Sequence, residues 1–305
     1  MERKALCRRP NQHDCSDTPA TLVYRDAQGT EHSVAASVRV RGRWKPENGN
    51  CRFPALFVFF PPMDGNPLFA GQEMLPLTTH CQPQKEYEQF VLKEFLGYRI
   101  LNLLTDKSLR VRLVRVNYLT PDSRSKPMIR YGFFSEHFRS MARRHDAEVW
   151  QTNKFNPIDG DPFEAALIDL FQFMIGNTDW SSIYGHNIVV IRDRAGKPTA
   201  VPFDLDFAGL VNASYAGPPP NLPLRSVRQR LYRGMCRADI DWAQLFGYFE
   251  GKREAIMALL DDVPGLSNRH RKRATNYLRD FYELLDTPKL RKRKIIAACR
   301  GGRSQ

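Results

Sequence analysis

The chain of 305 residues contains no run of 18 uncharged apolar residues, so no transmembrane helix is expected. Its opening, MERKALCRRPNQHDCSD, carries charge but no apolar stretch, and is not a signal peptide as written. The six cysteines include no Cys-x-x-Cys pair, and no Cys/His spacing suits zinc. Reduced thiols in a cytoplasmic protein are therefore the expectation. A disulfide such as Cys51–Cys81 would instead require an exported protein. A Gly-x-Gly-x-x-Gly phosphate loop is missing as well; Gly65 and Gly71 stand alone. There is no internal repeat.

What is present is ordinary for a globular chain: 42% hydrophobic and 26% charged residues, which argues against disorder and coiled coil. The length suits two domains, or two lobes around one cleft. The formal charge is +13. From Leu266 to Gln305 there are 12 Lys or Arg against 3 Asp or Glu, so the excess is largely a property of the tail. Such a tail is either a solvated helix or a surface for an anionic partner: nucleic acid, membrane or an acidic protein. No nucleic-acid fold signature accompanies it.

Residues 1–16 are polar and read as a lead-in. Strands are predicted over Thr21–Tyr24, Ser33–Arg43 and Leu56–Phe60, with a further candidate over Leu68–Thr79. Lys85–Leu104 keeps helical spacing of its apolar residues. Arg110–Leu119 and Lys126–Phe134 read as a hairpin. Thereafter helices dominate: Pro162–Gly176, Trp242–Leu260 and Arg269–Leu285, with short strands at Asn187–Arg192 and Thr199–Phe203. The expected fold class is α+β. A β-rich lobe over 17–135 carries one long helix, and a helical lobe over 136–305 ends in the basic tail.

Chemistry concentrates in Gly176-Asn-Thr-Asp-Trp-Ser-Ser-Ile-Tyr-Gly-His-Asn187 and in Val201-Pro-Phe-Asp-Leu-Asp-Phe-Ala-Gly209. An apolar helix runs into a loop bearing Asp179. A strand then opens at Asn187, and the hairpin returns to Asp204 and Asp206. Hard oxygen donors around one cavity suit Mg²⁺. Asp179, one loop away, is placed to take a proton from an attacking hydroxyl. A positioned base with an Asn and an Asp for the metal is the set that phosphoryl transfer needs. Asp204 and Asp206 alternate, so they point to opposite faces unless the strand has ended. The bland reading of Asp179 is a turn cap, and His186 reads as a residue orienting the loop.

This Asn-x-Asp loop, the Asn opening a strand and the Asp-x-Asp closing the hairpin resemble the atypical protein-kinase-like families, nearest to the spore-coat-protein-H-like kinases. HipA-like and aminoglycoside-phosphotransferase-like kinases share the logic. Val40-Arg-Gly-Arg43, Thr79-His-Cys81 and Val211-Asn-Ala-Ser-Tyr-Ala216 add to the resemblance, which covers about Thr21 to Arg237. It implies a bilobal kinase-like fold that binds ATP and Mg²⁺ between its lobes. Asp179 would match the catalytic-loop Asp, and Asn187 and Asp204 the metal ligands, assisted by Asp206. Glu94, or Glu88, would match the glutamate that steadies a phosphate-binding lysine. Phe133 to Glu136, with Phe134 and Glu136 foremost, would be the adenine hinge.

Two departures stand out. The step from Asp179 to Asn187 is longer than in a kinase catalytic loop, so Trp180–Gly185 must bulge outward. The phosphate-anchoring lysine has no counterpart; Arg52, Arg43 or Lys45 would replace it as a cation, an arginine as a fork rather than a point charge. The implied activity is transfer of the ATP γ-phosphoryl group to a hydroxyl, with a protein Ser or Thr as acceptor. A silent pseudokinase or nucleotide-binding scaffold, and a small-molecule kinase, are the alternatives. Arg225, Arg228, Arg230 and Arg233 form a basic cluster, either a salt-bridged helix or loop or a lining of the cleft that holds a phosphate or acidic substrate. Lys289–Lys294 is a patch for nucleic acid or an acidic partner.

Overall fold

The computed structural model describes residues 17–26, 28–41, 51–62, 68–119, 128–151 and 155–301. The lead-in over 1–16, Arg43 and Lys45 lie outside the described residues. The protein is α+β and divides into two compact units: residues 1–91 with 111–137, and residues 92–110 with 138–305.

The first unit is an antiparallel sheet in the order β1-β2-β3-β4-β6-β5. Its strands are β1 (Thr18–Arg25), β2 (Glu31–Val40), β3 (Leu56–Phe59), β4 (Met74–Thr78), β5 (Val111–Tyr118) and β6 (Met128–Ser135). The Leu68–Thr79 candidate shortens to β4 because Leu68–Gly71 turns. Alternation in β1 and β2 gives the sheet one apolar face, where Val34, Val38, Leu56, Val58, Phe60, Leu77 and Phe134 pack together.

Helix α1 (Lys85–Leu104) forms where its periodicity placed it. From Leu92 onward it belongs to the second unit, which moves that part of the helix out of the β-rich lobe expected over 17–135. The reason is its burial: Leu92, Leu96, Ile100 and Leu101 are fully enclosed. Within the same unit, Leu205 packs on Gly97 and Tyr248 Oη donates to Leu104 O.

The second unit also holds α2 (Phe138–Arg144), α3 (Pro162–Ile175), α4 (Trp242–Gly251), α5 (Arg253–Ala258), α6 (Asn268–Asp286) and α7 (Pro288–Lys294). Its sheet has the order β7-β8-β9, from β7 (Ala147–Val149), β8 (Ile188–Asp193) and β9 (Pro198–Pro202). The single helix expected over Trp242–Leu260 breaks after Gly251, with Lys252 between α4 and α5. Helix α7 buries none of its residues, and Arg291, Lys292, Arg293 and Lys294 fill its last turn. Cations there complement the helix dipole. Among the described residues, no helix is long and apolar enough to cross a membrane.

The expectation of reduced thiols fails. Cys51 pairs with Cys81 and Cys236 with Cys299, their Cα atoms 4.5 and 4.8 Å apart. Folding brings both pairs within the span that a disulfide bridges.

His80, beside the first disulfide, is fully buried. Its ring lies 4.4 Å from Phe53 and 5.1 Å from Tyr118, centroid to centroid, and neither nitrogen has a hydrogen-bond partner among the described residues. Burial, reinforced by the charge of Arg130, lowers its pKa to about 4. The unfolded chain therefore takes up this proton near the ordinary value of about 6.5, and the folded one only near 4. Stability should be independent of this group above pH 6.5 and should fall as the pH drops toward 4. Melting curves across that window are expected to show a shallower acid slope in His80→Phe than in the wild type; equal slopes would exclude the residue as the cause.

Candidate functional site

The site is built from the end of α3. Asp161 caps the helix start by accepting the Glu164 amide at 3.1 Å, with Pro162 in the first turn. Gly176 ends the helix at φ +65°, a left-handed conformation that favours glycine. A Cβ at Gly176 would also collide with Tyr277 Oη. The Gly209 and Leu210 amides donate to Gly176 O and Ile175 O at 3.1 and 2.9 Å, tying the segment after β9 to the helix end.

The Asp179 loop leaves from there. Asn177 Oδ1 accepts the Asp179 amide at 3.0 Å, and Trp180 Nε1 donates to Asn177 O at 3.1 Å. Trp180 is buried against Phe155, Ile188, Val190 and Ala200, which anchors the loop to the β8–β9 hairpin. The outward bulge expected over Trp180–Gly185 is confined to residues 183–185, because Trp180, Ser181 and Ser182 are buried. Ser181 and His186 exchange main-chain hydrogen bonds at 2.9 and 3.0 Å, and the turn between them holds Tyr184 84% exposed at its tip.

That turn returns two side chains to Asp179. His186 Nε2 lies 2.9 Å from Asp179 Oδ1. Asn187 Nδ2 donates to Asp179 O at 2.8 Å and to Asp179 Oδ2 at 3.1 Å. Each carboxylate oxygen therefore has a partner, while about a third of the side chain stays exposed. Because Nδ2 faces Asp179, Oδ1 is the limb of the Asn187 amide turned away from it.

The hairpin supplies the next donor. The Phe203 amide donates to Asn187 O at 3.0 Å, one step beyond the Ile188–Pro202 pair of the β8–β9 ladder. Asp204 follows directly, its amide donating to Tyr98 Oη at 2.8 Å. Asn187 and Asp204 both lie in the left-handed region, at φ +52° and +57°. Asn and Asp are the non-glycine residues that best tolerate it, and strain of this kind collects at functional sites.

β9 ends at Pro202, so strand alternation does not govern Asp204 and Asp206. Asp204 is half-buried; Asp206 is buried and accepts from Tyr215 Oη at 2.8 Å. Burial first, then the negative charges of Asp206, Glu94 and Asp204, push the Tyr215 phenol well above its ordinary pKa. Glu94 is thus part of an acidic group around Tyr215, itself buried on α1. Glu88 accepts the Tyr131 amide at 2.6 Å in the first unit. Arg52, Phe134 and Glu136 also belong to the first unit: Arg52 is exposed, and the Phe134 ring lies in the sheet core.

Three contributors escape a reading by motif. Tyr98 holds the Asp204 amide. Lys93, a buried ammonium on α1, donates to Val211 O in the segment after Asp204 and Asp206. Arg233 donates to Thr178 O, and to Trp180 O at 2.8 Å, on either side of Asp179. A Lys-Glu pair inside an otherwise apolar helical stretch was the only visible sign of Lys93. In the basic cluster, Arg230 likewise braces main chain, donating to Met174 O and Tyr277 O and lying 3.8 Å from the Tyr277 ring centroid.

Among the described residues, no group of three or more His, Cys, Asp or Glu is placed to hold a metal ion. The two ends of the β8–β9 hairpin carry the Asn187 amide and the Asp204 carboxylate. Mg²⁺ is usually held by one or two protein oxygens plus phosphates and waters. No family model, curated protein or solved structure matches the chain.

Proposed function

We propose that the protein is a kinase-like phosphotransferase that moves the γ-phosphoryl group of ATP to an acceptor hydroxyl. One observation carries the reading: a single amide, Asn187, holds Asp179 through Nδ2 and turns its oxygen away, and the hairpin sets Asp204 directly beyond. Asp179, held between His186 and Asn187, accepts the proton as the acceptor oxygen bonds to the γ-phosphorus. The bond from that phosphorus to the β-phosphate oxygen breaks, and ADP leaves. Asn187 and Asp204 would hold Mg²⁺, which when bound would neutralise and orient the phosphates.

Asp206 serves this site by pairing with Tyr215, which sets the course of the chain after Asp204. Of the expected nucleotide-binding residues, Glu94 is kept; it is buried on α1 in the same unit as Asp179. The exposed Ile183–Tyr184 tip, two residues before His186, favours a polypeptide acceptor over a small polar one. Helix α7 offers its basic face to an acidic partner. The Cys51–Cys81 and Cys236–Cys299 disulfides favour an oxidising compartment over the cytoplasm.

Thermal unfolding with ATP and Mg²⁺, separately and together, tests the reading. A ligand that binds only the folded state adds about 2.7 kcal/mol at 100 times its Kd. A shift that needs both ligands and vanishes in Asp204→Ala is expected. No shift at millimolar ligand would sink the proposal; a shift without any phosphoryl transfer would leave the pseudokinase form.

A further inference from the structure

We infer that Arg233 is a positioning residue for Asp179, and that the Cys236–Cys299 disulfide keeps it in place by clamping the C-terminal segment against residues 233–236. The inference rests on the reading of Asp179 as the proton acceptor for its catalytic meaning; the clamp itself does not.

The chain of contacts is continuous. Arg233 Nη1 donates to the carbonyls of Thr178 and Trp180, so one guanidinium fixes the main chain on both sides of Asp179. The same group lies 5.9 Å from the Trp180 ring centroid. The other end of Arg233 is held by the tail: Arg300 Nε donates to Arg233 O at 2.6 Å, and the Arg300 amide to Gly234 O at 2.8 Å. The Cys236 amide donates back to Arg300 O at 2.9 Å, and Met235 and Arg300 form a parallel bridge. Next to this patch sits the disulfide. Beneath it is Asp169 of α3, wholly buried, which accepts the Met235 amide and faces Arg237 and Arg300. Helix α3 is the one that delivers the Asp179 loop.

The patch needs a tie. Residues 230–234 and 236–237 carry no helix or strand, and 63 residues separate the two cysteines. Arg233 and Arg300 are like charges at close range: burial lowers the Arg233 pKa, the charge of Arg300 lowers it further, and Asp179 opposes both. The crosslink ties the two segments at this point. With a dithiol reductant, thiol–disulfide exchange converts Cys236 and Cys299 to two thiols and the dithiol to its own disulfide. The loop should then loosen around Asp179.

Hydrogen–deuterium exchange on the full chain tests this without any activity. The amides of Asp179, Ser181 and His186, each hydrogen-bonded in the loop, are expected to exchange at least tenfold faster in C236S/C299S, with α3 unchanged. Arg233→Ala with the disulfide intact should give the same result, and Arg233→Lys should restore much of the protection. If C236S/C299S fails to fold, Arg233→Ala and Arg300→Ala still decide the matter. Unchanged loop exchange while residues 299–301 open would overturn the inference. With phosphoryl transfer in hand, Arg233→Ala should lower kcat and leave KM for Mg–ATP near that of the wild type. Faster loop exchange in a protein that transfers no phosphoryl group would retain the clamp and remove the kinase reading.

Discussion

An Asp179→Asn variant is expected to bind Mg–ATP like the wild type and to transfer phosphoryl about 10²–10⁴-fold more slowly, the usual contribution of a general base. The substitution keeps size and shape but removes the basic oxygen. It also upsets the anchoring. The carboxylate offers one oxygen to His186 Nε2 and the other to Asn187 Nδ2. An amide has one acceptor and one donor limb, so it cannot accept from both. Metal and nucleotide binding should survive because Asn187 keeps its bond to the Asp179 main-chain carbonyl. The check is single-turnover ADP formation together with Mg–ATP binding on the same preparations. An undiminished rate would remove Asp179 from the chemistry.

Reducing Cys51–Cys81 and Cys236–Cys299 should lower stability by about 4 kcal/mol each, the loop-closure entropy returned to the unfolded chain. The crosslinks close spans of 30 and 63 residues, which differ little on a logarithmic scale. One lies in each compact unit, so neither unit is spared. For units of this size the melting temperature should fall by roughly 10 °C or more. Melting with and without a phosphine reductant, set beside C51S/C81S and C236S/C299S, separates the two contributions. A melting temperature indifferent to reductant would mean that neither crosslink constrains the folded protein.

Much of this was legible where the pattern is local. The apolar spacing of Lys85–Leu104 locates α1 to the residue, and β8 and β9 form the hairpin that their turn residues indicate. Counting residues between Asp179 and Asn187 shows that the loop is long, but not that Trp180, Ser181 and Ser182 turn inward and leave residues 183–185 exposed. Long-range facts were not legible. Nothing near Cys236 marks Cys299 as its partner. Arg233 looks like one cation of four, because its targets are main-chain carbonyls that no motif encodes. α2 was missed for a different reason: it is seven residues long, rich in Arg, and buries only Met141 and Ala142, too little for a helical period. Lys93 is not singled out by the sequence, since a lysine is seldom buried; its ammonium donates to the Val211 carbonyl.

The central claim is that Asn187 and Asp204 form one cation site that works with nucleotide. Mn²⁺, a paramagnetic stand-in for Mg²⁺, reports on it directly. Its electron paramagnetic resonance signal, titrated with protein in the presence and absence of ATP, counts bound and free metal. The expected result is one ATP-dependent site in the wild type, weakened at least tenfold in Asn187→Ala and in Asp204→Ala, both still folded. No ATP-dependent binding in the wild type, or binding unchanged in both variants, would contradict it.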